Sequence, residues 1–234
     1  MFKGIYIALV TPFHEDGSID HDCLATLCNH LIESGVHGLV PCGTTGESAT
    51  LSHQEHHDVI KTVVATSNNR VPVIAGTGSN ATAEAIELTT AAKEAGADGS
   101  LLITPYYNKP TQAGLLTHFE AIAKATQFPL VLYNIPGRTA INLEPETVAE
   151  LAKLPEIVGI KEATGIITTC TDILRRLERP FSVFAGDDAM TLPILSIGGC
   201  GVISVVGQLL PNKMVALWDA WQAKDLQTAS TIHH

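Results

Sequence analysis

Nowhere in the sequence is there an unbroken run of about 18 apolar residues, the length a helix needs to cross a bilayer, so no transmembrane helix is expected. A secretory leader is not read either. The apolar stretch Ile5–Val10 begins almost at once after Met1-Phe2-Lys3-Gly4, is too short for a leader core, and has no small-residue cleavage site after it. Basic residues are scarce, with 14 Lys and Arg against 24 Asp and Glu and a formal net charge of −10. An acidic surface repels phosphate backbones, which argues against nucleic acid as a partner. The five cysteines (Cys23, Cys28, Cys42, Cys170 and Cys200) are odd in number and form no C-x-x-C pair, so they read as reduced thiols of a cytoplasmic protein rather than as a metal cluster. Nucleotide signatures are missing too. Gly43–Glu47 lacks the Lys-Ser/Thr ending of a phosphate loop, and Gly76-Thr77-Gly78 lacks the third glycine of a dinucleotide site. His53, His56 and His57 stand in the order His-Gln-Glu-His-His, which is not the zinc-binding H-E-x-x-H, and no further ligand set completes a site, so no metal is expected.

What is present is a regular alternation. Short apolar, β-rich runs occur at Ile5–Val10, Gly38–Cys42, Pro72–Ala75, Ser100–Thr104, Leu130–Tyr133, Val158–Lys161, Ser182–Ala185 and Gly201–Ser204. Most are continuously apolar, as parallel strands buried on both faces must be. Helical patterns fill the gaps. Leu24, Leu27, Cys28, Leu31 and Ile32 make one apolar stripe, with Gly35 placed to end it. Ser52 and Glu55 form a capping box ahead of Val59, Ile60, Val63 and Val64. Asn80 is placed to cap a helix carrying Ile86 and Leu88, and Thr111 precedes Leu115, Leu116, Phe119 and Ile122. Pro145 and Pro211 read as first-turn prolines, and Pro193 as a kink. Eight βα units in 234 residues predict a (β/α)8 TIM barrel over residues 1–224, a doubly wound open sheet being the alternative. Asp225 can cap one more helix, so residues 225–234 read as the start of a C-terminal helical extension that is cut short at His233-His234.

Barrel enzymes place their chemistry at the C-terminal ends of the strands. The residues found there are Gly43-Thr44-Thr45-Gly46-Glu47, Pro105-Tyr106-Tyr107-Asn108, Tyr133-Asn134 with Ile135–Thr139 after it, Lys161-Glu162-Ala163, Gly186-Asp187-Asp188 and Val202-Ile203-Ser204. Lys161 is the sharpest signal. A free lysine has a pKa near ~10.4 and is almost wholly protonated at neutral pH; burial at a strand end lowers that value and supplies a neutral nucleophile. The competing reading is a lysine that snorkels outward and pairs with Glu162. Tyr133, with hydroxyls at Thr44 and Tyr107, could relay protons. Arg138 could clamp a carboxylate, or sit in a surface ion pair.

Taken together, Gly43-Thr44-Thr45-Gly46-Glu47, Tyr133-Asn134-Ile135-Pro136 and Gly159-Ile160-Lys161-Glu162-Ala163 resemble the signatures of the pyruvate-dependent class I aldolase family, which holds both dihydrodipicolinate synthases and N-acetylneuraminate lyases. The resemblance covers the whole chain. Arg138 after Pro136-Gly137 and the Tyr106-Tyr107 pair are similar to the synthase branch. It implies the following roles. Lys161 forms an imine with pyruvate, Tyr133 shuttles protons, and Thr44 and Tyr107 complete the relay, Tyr107 reaching in from a neighbouring subunit. Thr45 holds the pyruvate carboxylate, Arg138 holds that of L-aspartate 4-semialdehyde, and main-chain groups at Gly186 and Ile203 line the pocket. No metal or organic cofactor is implied. Ser48, Ala49, His53, His56, Asn80, Glu84 and Tyr106 match a site at which lysine-sensitive members are inhibited by L-lysine, and the family precedent is a homotetramer built from tight dimers. Alternatives are another Schiff-base aldolase acting on a sugar acid or hydroxy-oxo acid, which would not call for Arg138, and a keto-acid-binding barrel without catalysis, which would not call for the Lys161, Tyr133, Thr44 and Tyr107 set.

Overall fold

The computed structural model describes residues 2–234; Met1, the first residue of the expected barrel, lies outside the described residues. Eight strands run in chain order: β1 Gly4–Ala8, β2 Gly38–Val40, β3 Ile74–Gly76, β4 Gly99–Ile103, β5 Leu130–Asn134, β6 Ile157–Glu162, β7 Ser182–Ala185 and β8 Gly201–Ser204. Every expected strand is found, with ends shifted by a residue or two. They form one sheet in the order β2-β1-β8-β7-β6-β5-β4-β3, and all pairings are parallel. A parallel bridge between Leu39 and Val73 joins the two end strands, so the sheet closes on itself. The TIM barrel is therefore observed and the open-sheet alternative is excluded.

The strands are apolar throughout because both of their faces are covered. Along β5, Leu130 and Leu132 face the helical layer while Val131 and Tyr133 face inward. The inward set, with Tyr6, Val40, Ile74, Leu101, Phe184 and Ile203, fills the barrel so that it is a packed core and not a pore.

The helices are α1 His21–Glu33, α2 His53–Ser67, α3 Thr82–Glu94, α4 Gln112–Thr126, α5 Pro136–Thr139, α6 Pro145–Leu151, α7 Ile167–Arg176, α8 Thr191–Ser196, α9 Pro211–Gln222 and α10 Leu226–His233. Local chemistry sets their ends. Ser52 and Glu55 make the expected reciprocal capping box on α2, an arrangement worth about 1 kcal/mol. Thr111 caps α4 through the Gly114 amide, and Asp225 caps α10 through that of Thr228. Two expectations are corrected. Asn80 does not cap α3, whose N-cap is Ala81 without a side-chain bond; the Asn80 amide donates instead to the Tyr106 carbonyl at 3.1 Å. Pro193 lies in the first turn of α8, where a missing N–H breaks no helical bond, so it opens a helix and does not kink one. The short helix α10 packs on α9 and buries Ala229.

Candidate active site

Lys161 is the fifth residue of β6 and points inward, against the ring of Tyr133 on β5. Its Nζ lies 4.4 Å from the ring centroid, and the two residues are direct partners in the strand register. Both are buried, Lys161 at 5% exposure. The lysine thus does not snorkel outward, and it makes no ion pair with Glu162, whose side chain leaves the opposite face of the strand. Burial pulls the Lys161 pKa from its ordinary 10.5 down to about 8; the Asp188 carboxylate opposes this and the Arg138 guanidinium adds to it. At pH 7 that leaves roughly one amine in ten neutral, against about one in three thousand for a free lysine.

Tyr133 is held in the opposite condition. Burial raises its pKa, while hydrogen bonding to the Thr44 hydroxyl and the nearby charge of Arg138 lower it in part. The phenol stays protonated at neutral pH, with a neighbouring hydroxyl through which a proton can pass.

Thr44 is delivered by the loop after β2. Cys42 and Glu47 adopt left-handed backbone with φ 54° and 56°. The turn is closed by Gly46 N–H to the Gly43 carbonyl (3.1 Å) and Glu47 N–H to the Thr44 carbonyl (3.2 Å), and the buried Thr11 hydroxyl donates to the Gly46 carbonyl at 2.7 Å. The loop presses on the end of β3, where a Cβ on Gly76 would stand 2.1 Å from the Cys42 carbonyl oxygen, so only glycine fits. Arg138, on the one-turn helix α5, is exposed and has no acidic partner among the described residues, which leaves its guanidinium free for an anion.

A cavity of about 420 Å³ is lined by Thr44, Tyr133 and Arg138, and also by Ser48, Ala49, His53, His56, Glu84 and Tyr106. One hollow therefore joins Thr44, Tyr133 and Arg138 to the second group of residues singled out in the sequence; Lys161 is not part of its lining and lies against the Tyr133 ring. Within that group His53 Nε2 meets Glu84 Oε1 at 2.9 Å, Ser79 donates to the other Glu84 oxygen, and the buried His56 ring donates from Nε2 to the Gly76 carbonyl at 2.8 Å. The bonds from Ser79 and His53 hold the Glu84 carboxyl below its usual range, so it is an anion at neutral pH. Asn80 does not line this cavity and meets the group through the Tyr106 carbonyl.

Not every expected residue is brought to the hollow. Thr45, beside Thr44, does not line it. Ile203 packs behind it in the inner core with Tyr133. Gly186 follows β7 with its N–H already given to the Glu162 carbonyl at 2.8 Å, so only its carbonyl remains for a ligand. A Cβ there would lie 2.5 Å from the Ala163 Cβ, which explains the glycine. Tyr107 is 90% exposed, has left-handed backbone (φ 71°), and does not line this chain's own cavity. Two features went unread in the sequence: Asp188, clasped by the Ser204 hydroxyl and the Val205 and Val206 amides, and a polar chain through Asn134 and Glu162. The period of β6 was the available clue to the second, because residues 161 and 162 must face opposite ways.

A (β/α)8 barrel with a buried lysine set against a tyrosine at its strand ends is the architecture of a lyase of the class I aldolase type. The dihydrodipicolinate synthetase family model matches residues 1–234, and the chain belongs to that family. It is 53% identical over 233 residues to a 4-hydroxy-tetrahydrodipicolinate synthase of Magnetococcus marinus, covering 100% of this chain and 80% of the relative. Among solved structures it is similar to the chloride-inhibited dihydrodipicolinate synthase of Acinetobacter baumannii complexed with pyruvate (46% identity, TM-score 0.97, 100% of this chain and 80% of that one). It is also similar to the Cyanidioschyzon merolae enzyme with lysine bound (42% identity, TM-score 0.95, 99% and 80%).

Proposed function

We propose that the chain condenses pyruvate with L-aspartate 4-semialdehyde to form 4-hydroxy-tetrahydrodipicolinate, in the route to diaminopimelate and lysine. The observation that carries this is the Lys161–Tyr133 pair: a buried amine with a pKa of about 8, its Nζ 4.4 Å from the ring centroid of a buried tyrosine. The neutral Nζ attacks the pyruvate ketone and water leaves, giving an iminium that serves as the electron sink. Loss of a methyl proton, taken through Tyr133 and Thr44, gives the enamine. The enamine carbon bonds to the aldehyde carbon, and the same hydroxyls return a proton to the new alkoxide. The amine of the semialdehyde then displaces Lys161 from the imine carbon, closing the ring and freeing the lysine. The unpaired Arg138 fits the semialdehyde carboxylate in bidentate fashion, which favours this substrate over a neutral sugar aldehyde. Thr45 and the Gly186 carbonyl are assigned to the pyruvate end of the site, and Ile203 to its wall.

Two partners complete the reading. Tyr107, solvent-exposed on one chain, enters the relay of a second copy, so the dimer is the smallest complete unit and the tetramer its assembly. L-Lysine acts as a feedback inhibitor in the far end of the cavity, its ammonium on Glu84 and its carboxylate among Ser48, Ala49, Asn80 and the Tyr106 segment, with His53 and His56 as walls. A location in the cytoplasm goes with this biosynthetic role; no helix among the described residues is long and apolar enough to cross a membrane. The test is turnover of pyruvate with L-aspartate 4-semialdehyde against a panel of sugar aldehydes. Efficient turnover with the semialdehyde alone is expected; preference for a sugar aldehyde would overturn the assignment.

A further inference from the structure

Behind the lysine and the tyrosine, on the opposite face of the same two strands, lies a second pair. Tyr133 is in register with Lys161, and the next residues, Asn134 and Glu162, are in register with each other. Alternation turns this second pair outward, under the helical layer, where Asn134 is 0% and Glu162 2% exposed. Asn134 Nδ2 donates to Glu162 Oε2 at 2.9 Å and to Asn142 Oδ1 at 2.9 Å, while its Oδ1 accepts from the Leu143 amide at 3.0 Å. The other Glu162 oxygen accepts from the Thr164 amide at 2.7 Å.

No lysine, arginine or histidine pairs with this buried carboxylate among the described residues. A buried carboxylate without a cationic partner is costly even when hydrogen-bonded, and titratable groups of this kind concentrate at functional sites. Its field is not what Lys161 senses, since the charges acting on that amine are Asp188 and Arg138. What remains is geometry. The bonds tie together the end of β5, the end of β6, the turn that starts the loop after β6, and residues 142–143, which close the loop that carries Arg138.

We propose that Asn134 and Glu162 are positioning residues: their hydrogen bond clips β5 to β6 one residue beyond the reacting pair and so sets Tyr133 at proton-transfer distance from the Lys161 imine. Neither residue touches substrate. The inference rests on the Schiff-base reading of Lys161, and it concerns precision, because a misplacement of about 1 Å at a reacting centre can lower a rate by around 100-fold.

The decisive variant is Glu162→Gln. The introduced amide can still accept from Thr164, but it faces the Asn134 amide donor to donor. Turning Asn134 over would strip the Leu143 amide of its acceptor. The expected result is a kcat about 10- to 100-fold lower, with both KM values within about threefold of the unaltered protein. Reversing the polarity should restore the clip. In the double variant N134D/E162Q the amide at 162 donates to the carboxylate at 134, the Leu143 amide keeps its acceptor, and exposed Asn142 can turn its amide to follow. Recovery of most of kcat in the double variant, with KM values unchanged throughout and the melting temperature of E162Q close to that of the unaltered protein, supports positioning by this bond. A kcat within twofold in E162Q, or a loss that the swap leaves in place, overturns the proposal. Should E162Q not fold, Asn142→Ala at the exposed end of the same chain carries the test. A kcat loss of about threefold or more at unchanged melting temperature supports the clip, and unchanged kcat overturns it. Borohydride trapping of pyruvate on the unaltered protein, run alongside, reports on the Schiff-base reading itself, so failure of that reading and failure of the clip are seen separately.

Discussion

Replacing Lys161 with methionine should make the protein inactive and more stable. In the folded protein burial brings the lysine pKa from 10.5 to about 8. At about 1.36 kcal/mol per pH unit, that gap corresponds to roughly 3 kcal/mol by which the protonated lysine weakens the fold at neutral pH. The sign follows from proton counting. Between pH 8 and 10.5 the unfolded chain holds a proton that the folded chain has released, so stability rises with pH across that window. The penalty is therefore present in full below pH 8 and relieved above 10.5. Methionine keeps an unbranched chain of similar reach and carries no charge, so K161M should gain about 2–3 kcal/mol at pH 7. For a chain of this size that is a rise of roughly 5–10 °C in Tm. The gain should shrink as the pH is raised toward 10.5. Urea unfolding of both proteins at pH 7 and at the highest pH that leaves the fold reversible would measure it. A variant no more stable than the parent at pH 7, or a gain indifferent to pH, would refute the claim that burial sets the lysine's acidity.

Other outcomes follow from the same geometry. Tyr133→Phe should lower kcat by about 100-fold or more, the usual scale for losing a proton shuttle, and leave pyruvate binding largely intact in a titration. Arg138→Gln removes a charge-assisted carboxylate contact and should lower kcat/KM for the semialdehyde by about 10- to 100-fold with little effect on the pyruvate half-reaction. Glu84→Gln should raise the L-lysine concentration needed for half-inhibition at least about tenfold, the scale of one charged hydrogen bond. If Tyr107 acts in a partner's site, mixing inactive K161M with poorly active Y107F should restore activity, to about a quarter of normal for random pairing in two-fold dimers; no recovery after subunit exchange would place Tyr107 outside the relay.

The barrel was legible because parallel strands buried on both faces leave continuous apolar runs, and because capping residues such as Ser52, Thr111 and Asp225 work over three residues of sequence. Asn80 was misread as a cap for the opposite reason. Its partner, the Tyr106 carbonyl, lies 26 residues away and is reached only once β4 is in place. Lys161 could be singled out from its place after an apolar run, but its neighbour Glu162 invited a local ion pair that the strand's alternation forbids. The environment of Asp188 and the union of Thr44 with Glu84 in one cavity depend on loops from different βα units meeting at the barrel mouth, and no single stretch of sequence records that meeting.

The central claim is that Lys161 is the covalent nucleophile. Incubation with pyruvate followed by borohydride reduction and peptide mass mapping tests it in one step. The account predicts a single reduced pyruvate adduct, on the peptide carrying Lys161, forming faster as the pH rises toward 8. An unmodified Lys161 in folded protein that turns over both substrates, or an adduct confined to another lysine, would contradict it.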